Sequence, residues 1–431
     1  MVWRSDLGLG AARAPTFFGS KDDLDRADER VPHAHVIRRA FDLLDLDGVL
    51  CDQAAPLVYF RVVDQIQDAK LLTLHRTFWN HGGAPILVVV APSEVHVYSG
   101  LARPADGLDS EGRRAGLVIT IQRASAALRE FLPAVQSGEF FRKHSSSFKP
   151  AERVDQALLA NLQATREKLA AISARKAAAD VLDAFLCRLV FTCYLFDRDV
   201  IGESYLQDLK IPNAPHLRDV LSLKPRSAAK GSLYRLFGRL AKDFNGDLFS
   251  DDLDAEAALV TAAHIDEVDE FFRGTDILGG QKAFWPYDFK AIPIETISAI
   301  YERFLKSADK KAGAFYTPRF LAELVLDVAL SDRPSLVGLR FMDPACGSGI
   351  FLVGLFNRMA EEWKRAHPEA RNDRRARELM ELLRSSLYGI DLNPTACRIT
   401  AFSLYLAYLD QLTPRDIQDL QAKGRALPRL I

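Results

Sequence analysis

Near residue 340 an apolar strand leads into a carboxylate, a glycine-rich turn and a helix, and few folds accommodate that order. The strand is 339–343, the turn is 344–349, and helical spacing begins at Ile350. Glycines let the backbone approach a ligand closely, and the free N–H groups at a helix N-terminus attract anions. This order predicts the first βα step of a nucleotide-binding α/β fold.

A second strand and helix follow the first pair. The segment 387–391 predicts a strand that ends in Asp391, and Asn393-Pro394 opens the next helix. An acid at this strand end is placed to bind the hydroxyls of a ribose. However, Asp343 and Asp391 are 48 positions apart and Leu352 stands where a third glycine would be. The dinucleotide fingerprint has its acid about 20 residues on, so a nicotinamide or flavin enzyme is disfavoured.

A tight loop and a helix precede the first strand. The loop 313–317 ends at Thr317, a good N-cap, and Pro318 takes the first helical position, where its missing N–H costs nothing. The free N–H groups at such a helix N-terminus favour the binding of an anionic group. The helix is predicted over 318–330, and we expect it to bury its apolar residues, which are Leu321, Leu324, Val325, Val328 and Ala329.

Residues 1–104 predict a small mixed α/β domain. Its pattern of a helix, two strands, a helix and two more strands fits a restriction-nuclease-like fold. Such a nuclease needs an acid, followed by an acid-x-Lys pair, on adjacent strands to hold Mg²⁺. The strand 57–63 carries no such pair, and Asp52 and Asp64 are isolated acids. We interpret this domain as non-catalytic.

Residues 105–285 are predicted to be mostly helical, and 286–431 to form a third domain. The segment 179–196 is apolar nearly all round, which predicts a buried central helix. The polar, basic segment 137–149 suits a solvated loop better than a contact with a polyanion. The expected fold class is therefore α/β and α, in three domains.

Composition excludes several classes of protein. The chain is 48% apolar and 26% charged with a formal net charge of −1, so nucleic-acid binding would have to come from a local basic surface. The sequence contains no apolar run of membrane-spanning length and no secretory signal at its start, and we expect no membrane partner. Its five cysteines lack paired spacing, so we expect no disulfide framework, no metal site and a cytoplasmic location.

Taken together, these motifs resemble the N6-adenine DNA methyltransferases of type I and type IIG restriction–modification systems. The segment 313–318 resembles the family's motif X, 343–352 its motif I, and 389–394 with the following helix its motifs II and III. Motif X before motif I is the order of the gamma class. Three further segments are similar to type IIG proteins, so the resemblance covers most of the chain. They are 287–305 (through residues 287–295 and 300–305), 74–80 and 244–249.

The resemblance implies the first half of a Rossmann-like domain that binds S-adenosylmethionine across its strand ends. Phe315, Tyr316 and Thr317 would lie by the methionine moiety, Asp391 would bind the ribose, and Leu392 would lie near the adenine. The amino and carboxylate groups would be held by the motif I turn, through Asp343, Pro344, Ala345, Gly347, Ser348 and Gly349. The alternative is that Asp343 and Asp391 are ordinary strand-end acids that accept hydrogen bonds from helix N–H groups.

One departure from the family matters most. Its chemistry depends on an Asn or Asp followed by Pro-Pro and an aromatic residue, which accept from the target amino group and stack on the flipped base. No such motif occurs in the chain, so we identify no catalytic residue. We therefore expect a truncated or split methyltransferase for duplex DNA, whose catalytic and target-recognition parts are either lost or supplied by a second chain. The alternative is a non-catalytic DNA- or protein-binding subunit of a phage-defence complex.

Overall fold

The structure is a computed structural model. It describes residues 2–10, 12–13, 16–27, 31, 33–52, 55–172, 179–211, 214–243, 252–274, 285–297, 317, 319–370, 372–413 and 415–416. The chain divides into two units, Met1–Leu158 with Pro286–Pro293, and Leu159–Trp285 with Ile294–Ile431. The expected combination of mixed α/β and helical structure is confirmed. Among the described residues, no helix has both the length and the apolarity needed to cross a membrane.

The first unit is built on a six-stranded sheet whose strands lie side by side in chain order. Neighbouring strands are antiparallel except β3 and β4, which are parallel. The strands are β1 (Phe17–Phe18), β2 (Gly48–Asp52), β3 (Ala55–Val62), β4 (Ile86–Val90), β5 (Glu94–Ser99) and β6 (Leu117–Gln122). The helices are α1 (Val2–Asp6), α2 (Lys21–Asp25), α3 (Ala34–Leu44), α4 (Asp68–His81), α5 (Ala126–Gln136) and α6 (Glu139–Lys143), with 3₁₀ turns at Ser145–Ser147 and Pro150–Glu152.

Both faces of this sheet are buried. Successive residues of a strand point to opposite faces, so Val88 joins one apolar cluster while Leu87 and Val89 join the other. All five residues of β4 are therefore buried, which explains its unbroken apolar sequence.

The segment Pro286–Pro293 belongs to the first unit because side chains of that unit bind its main chain. Arg76 donates to the carbonyl oxygens of Pro286 and Tyr287 at 3.2 and 3.1 Å. The side chain of Asn80 donates to Pro286 O at 2.8 Å and accepts from the backbone N–H of Asp288 at 3.0 Å. Two of the segments that resemble type IIG proteins, 74–80 and 287–305, thus meet here.

The second unit begins as a helical assembly. Its helix α8 is buried along most of its length, as the sequence predicts, and its Arg188 forms a buried ion pair with Glu256. The helices are α7 (Val154–Ile172), α8 (Ala179–Asp197), α9 (Glu203–Asp208), α10 (Leu217–Ser222), α11 (Arg226–Asp243), α12 (Leu253–Leu259) and α13 (Ala262–Phe272).

The rest of the second unit carries the predicted strand–turn–helix pairs. Two short strands, β7 (Phe341–Asp343) and β8 (Leu387–Gly389), are parallel, with Asp343 opposite Gly389. Each strand runs directly into a turn and then a helix, which confirms the predicted order. The helices are α14 (Arg319–Ala329), α15 (Ile350–Ala366), α16 (Asn372–Ser386) and α17 (Pro394–Asp410).

The predicted buried face of α14 is wrong. Four of its apolar residues are 40 to 69% exposed: Leu321, Leu324, Val325 and Val328. The buried face instead carries Ala322, Glu323 and Leu326. The cause is Arg358 of α15, which binds Glu323 at 2.5 Å and Asp327 at 2.6 Å and so fixes the rotation of α14 about its axis.

Some predictions are not resolved by these observations. The last strand of the sheet, β6, lies beyond residue 104, where the pattern places the end of the first domain, and the three-part division itself stays a prediction. The segment 244–249, which is similar to type IIG proteins, and most of the motif X loop lie outside the described residues.

Candidate functional site

The glycine turn after β7 is closed by its own backbone and by the acid that precedes it. Asp343 Oδ1 accepts from the N–H of Ala345 at 3.0 Å, and the carbonyl of Cys346 accepts from the N–H of Gly349 at 2.7 Å. Gly347 and Gly349 have φ values of 55° and 83°, in the left-handed region that favours glycine. The glycines are therefore required by the conformation of the turn.

The acid after β8 holds the same turn from the neighbouring strand. Asp391 Oδ2 accepts from the N–H of Gly347 at 3.0 Å, and its Oδ1 accepts from the N–H of Asn393 at 2.8 Å. From α17, the Thr400 hydroxyl donates to the carbonyl of Gly347 at 2.8 Å. The structure thus brings the turn and both predicted strand-end acids into one site.

The two carboxylates differ in what remains available to a ligand. Asp343 Oδ2 is buried and has no hydrogen-bond partner among the described residues. A buried acceptor without a donor is costly, so this oxygen suits a cationic or N–H group supplied from outside the chain. Both oxygens of Asp391 already accept a backbone N–H, as the alternative of a strand-end acid requires, but each retains a second lone pair.

The remaining predicted residues have different surroundings. Pro344 and Ala345 are exposed, Ser348 is buried in the turn, and Leu392 is fully exposed beside Asp391. Thr317 is half-buried, and Phe315 and Tyr316 lie outside the described residues.

Cys346, in the middle of the turn, is a packed thiol. It is buried, it would be 3.2 Å from a Cβ added at Gly389, and its Sγ lies 3.5 Å from the Thr400 hydroxyl oxygen. Burial raises the pKa of its thiol, which disfavours the nucleophilic thiolate. All five cysteines are free thiols, as expected.

A groove of about 560 Å³ runs beside β8, between α16 and α17. It is lined by apolar residues such as Met342 and Leu404, by the Cys346 and Cys397 thiols, and by Arg384. Neither Asp343 nor Asp391 lines it, but Cys346 of the glycine turn and Thr400, which binds that turn, do.

In the first unit, a cation lies beside two acids that precede β2. Arg61 of β3 binds Asp45 at 2.6 Å and Asp47 at 3.5 Å, and Asp47 also accepts from the N–H of Val62 at 2.7 Å. A guanidinium in that place disfavours a divalent metal ion. Sequence reasoning considered Asp52 and Asp64 and missed Asp45 and Asp47, which become neighbours of Arg61 only once β2 and β3 pair.

Cys193, Asp197 and His216 bring their side-chain ligand atoms within 4.8 Å of one another, but their hydrogen bonds disfavour a metal site. His216 Nδ1 accepts from the backbone N–H of Arg218 at 3.2 Å, so the proton sits on Nε2, which faces Asp197 at 2.9 Å. The Arg218 guanidinium also lies 3.7 Å from Asp197. The arrangement is that of a capped helix and an ion pair.

Comparison with known proteins supports the family resemblance inferred from the motifs. The family described as N-6 DNA Methylase matches residues 293–416. Over 111 residues the chain is 31% identical to the adenine-specific methyltransferase PglX of Streptomyces coelicolor, covering 25% of this chain and 9% of that protein. Over 116 residues it is 32% identical to the type I restriction enzyme MjaIX methylase subunit of Methanocaldococcus jannaschii, covering 26% and 17%.

The matched part is thus a small share of each relative's length. Among solved structures, the DrdV–DNA complex is similar over 89% of this chain and 35% of that one, with 14% identity and a TM-score of 0.29. At that score the likeness carries no argument about the fold. The match of residues 293–416 to the N-6 DNA Methylase family confirms the resemblance inferred from the motifs.

Proposed function

We propose that this chain provides the S-adenosylmethionine site of a DNA methyltransferase that modifies N6 of adenine in a restriction–modification system. The observation that carries the proposal is the buried Oδ2 of Asp343, which has no hydrogen-bond partner among the described residues and lies beside a turn that Asp391 binds. An α-ammonium group is the donor that such an oxygen lacks. A Cβ added at Gly347 would meet nothing within 4 Å, which leaves room for a ligand at the turn.

Each residue of the site has a role in this proposal. Asp343 would accept from the cofactor's amino group, and the remaining lone pairs of Asp391 would accept from its ribose hydroxyls. The turn through Pro344, Ala345, Gly347, Ser348 and Gly349 would face the methionine carboxylate, Leu392 would cover the adenine, and Phe315, Tyr316 and Thr317 would flank the methionine. When bound, S-adenosylmethionine supplies the methyl group, and the residues of this chain orient it.

The 431 residues contain no Pro-Pro dipeptide. They therefore lack the family's motif that binds the target adenine. Methyl transfer to duplex DNA would therefore need a further segment or a second chain that holds the flipped adenine. A cytoplasmic location, where such DNA is found, is part of the same proposal. The absence of that motif also favours the second candidate, a non-catalytic DNA- or protein-binding subunit of a phage-defence complex.

Calorimetric titration with S-adenosylmethionine tests the proposed site. The Asp343→Asn variant keeps an oxygen that can accept from Ala345 but replaces the free acceptor with an amide, and it should bind at least tenfold more weakly. Asp64→Asn, which changes an exposed acid of the first unit, is the matched control and should bind like the parent chain.

Two results decide between the candidates. Binding that depends on Asp343 supports the methyltransferase site, whereas no binding by the parent chain would contradict it and favour the non-catalytic subunit. Transfer of labelled methyl groups to DNA by the isolated chain would overturn the need for a further segment.

A further inference from the structure

The solvent-exposed side of α11, in the helical part of the second unit, carries small and basic residues in one line. Ser227, Gly231, Arg235, Gly238 and Lys242 follow at intervals of four, four, three and four, which places them on one side of a helix. We call these five residues the basic stripe. The opposite side of α11 is buried through Leu233, Leu236, Phe237 and Leu240, among others.

The charges of α11 are strongly unbalanced. The helix contains five cations and one acid. Arg226 is bound by Asp266 and Asp269, and Arg239 is bound by Asp243. In contrast, Arg235 and Lys242 are exposed and have no acidic partner in the part of the chain that the structure describes. The basic stripe thus presents two uncompensated positive charges in a chain whose net charge is −1.

Packing does not explain the two glycines of the stripe. A Cβ added at Gly231 or at Gly238 would meet no atom within 4 Å, and neither residue has a positive φ. Glycine is the least favourable residue in a helix interior apart from proline. Its presence between exposed cations lets another molecule's backbone approach the helix closely.

We propose that the basic stripe binds the phosphodiester backbone of duplex DNA without reading its sequence. Arg235 and Lys242 would contact phosphates, and Gly231 and Gly238 would allow the strand to lie against the helix. The two cations are seven positions apart, about 10 Å along the helix axis, which equals the axial rise of about three nucleotides of one DNA strand. The inference rests on the proposed function, which makes DNA the partner, and assigns a contact surface outside the cofactor site.

Binding of a fluorescently labelled duplex, followed by anisotropy over a range of KCl concentrations, tests the proposal on the full chain. The double variant Arg235→Glu/Lys242→Glu should lower the affinity at least tenfold. It should also reduce the slope of log K against log salt by about 1.8, because each lost phosphate contact removes about 0.9. Sequence changes in the duplex should not alter the effect.

The matched control is Arg374→Glu/Arg377→Glu on α16, which changes the net charge by the same amount. Four cations and three acids nearly balance on that helix, so we expect DNA affinity close to that of the parent chain. Equal losses in the two double variants would overturn the proposal, since they would indicate a general charge effect.

A glycine variant separates binding from folding. Gly231→Ala/Gly238→Ala should raise the midpoint of thermal unfolding, because alanine favours a helix, and should still weaken DNA binding by a few fold. Unchanged DNA binding by both stripe variants overturns this surface. S-adenosylmethionine binding is measured on the same samples, so failure of the stripe and failure of the cofactor site are distinguished.

Discussion

Asp391 accepts a hydrogen bond from the backbone N–H of Gly347 at 3.0 Å, so the acid that follows β8 holds the turn that follows β7. The same carboxylate accepts from the N–H of Asn393 at the start of α17. Two strands, a turn and a helix are therefore joined through one side chain. Asp343, in contrast, holds the turn with one oxygen and leaves the other without a partner among the described residues. The two acids should respond differently to substitution.

Asp391→Asn should reduce both stability and the proposed binding of S-adenosylmethionine. An amide can accept only through its oxygen, so one of the two backbone N–H groups loses its partner, at a cost of about 1–3 kcal/mol in the free energy of unfolding. Urea denaturation and calorimetric titration of the same protein measure the two effects. Asp343→Asn is the comparison, and it should weaken binding with little change in stability; equal destabilisation by both would contradict this division of roles.

Gly349→Ala should destabilise the turn more than Gly347→Ala does. Both residues have a positive φ, but an added Cβ at Gly349 would lie 2.9 Å from Thr400 Cγ2 and 3.2 Å from its Cα, whereas Gly347 faces open space. The backbone strain alone costs roughly 1–3 kcal/mol, and the contact with Thr400 adds to it. Thermal unfolding ranks the two variants, and the reverse order would show that the turn conformation differs.

Arg358→Met should strongly destabilise the second unit. Arg358 is 8% exposed in its side chain and pairs with Glu323, which is 4% exposed. Removing the cation leaves a buried carboxylate, at a cost of roughly 3–5 kcal/mol in the free energy of unfolding. The double variant Arg358→Met/Glu323→Gln should recover much of this loss in urea denaturation. A double variant no more stable than the single one would show that the pair is not the source of the effect.

The first unit should lose stability in mild acid through His75. Burial lowers the pKa of His75 from 6.5 to about 4, while its hydrogen bond to the Ser99 carbonyl opposes that shift. Between these two pH values the unfolded chain binds a proton that the folded chain does not. The free energy of unfolding should therefore fall as the pH falls through this window, by about 3 kcal/mol in full, and should not depend on His75 above it.

Urea denaturation at several pH values measures the contribution of His75. In His75→Gln the side chain can still donate to Ser99 O but does not titrate, so this variant should have a shallower dependence on pH. Identical pH profiles for the two proteins would exclude His75 as the source.

Local sequence patterns were sufficient to predict the elements that position the site. The strand, glycine turn and helix around residues 343–350 are encoded by neighbouring residues, and so is the second strand with Asp391 after it. Parallel strands place their carboxyl ends at one edge, which is why both acids were expected together. The bond from Gly347 to Asp391 confirms that expectation.

Features that depend on tertiary pairing were not predicted. The apolar spacing of α14 indicated one buried face, but Arg358, on another helix, turns Glu323 inward and leaves Leu324 and Val328 exposed. In the same way, the proximity of Arg61 to Asp45 and Asp47 exists only because β2 pairs with β3. Neither relationship is visible in the spacing of residues along the chain.

The hydrogen bonds from Arg76 and Asn80 to the segment Pro286–Pro293 limit which deletions and domain exchanges this protein can tolerate. Deleting the first 158 residues would remove the side chains that form hydrogen bonds with the main chain of that octapeptide. A chimera made with a related protein would have to exchange the octapeptide and the α4 residues as a set. Because these two regions bind each other, substitutions in the N-terminal region and in the segment before β7 would have to be compatible with one another during evolution.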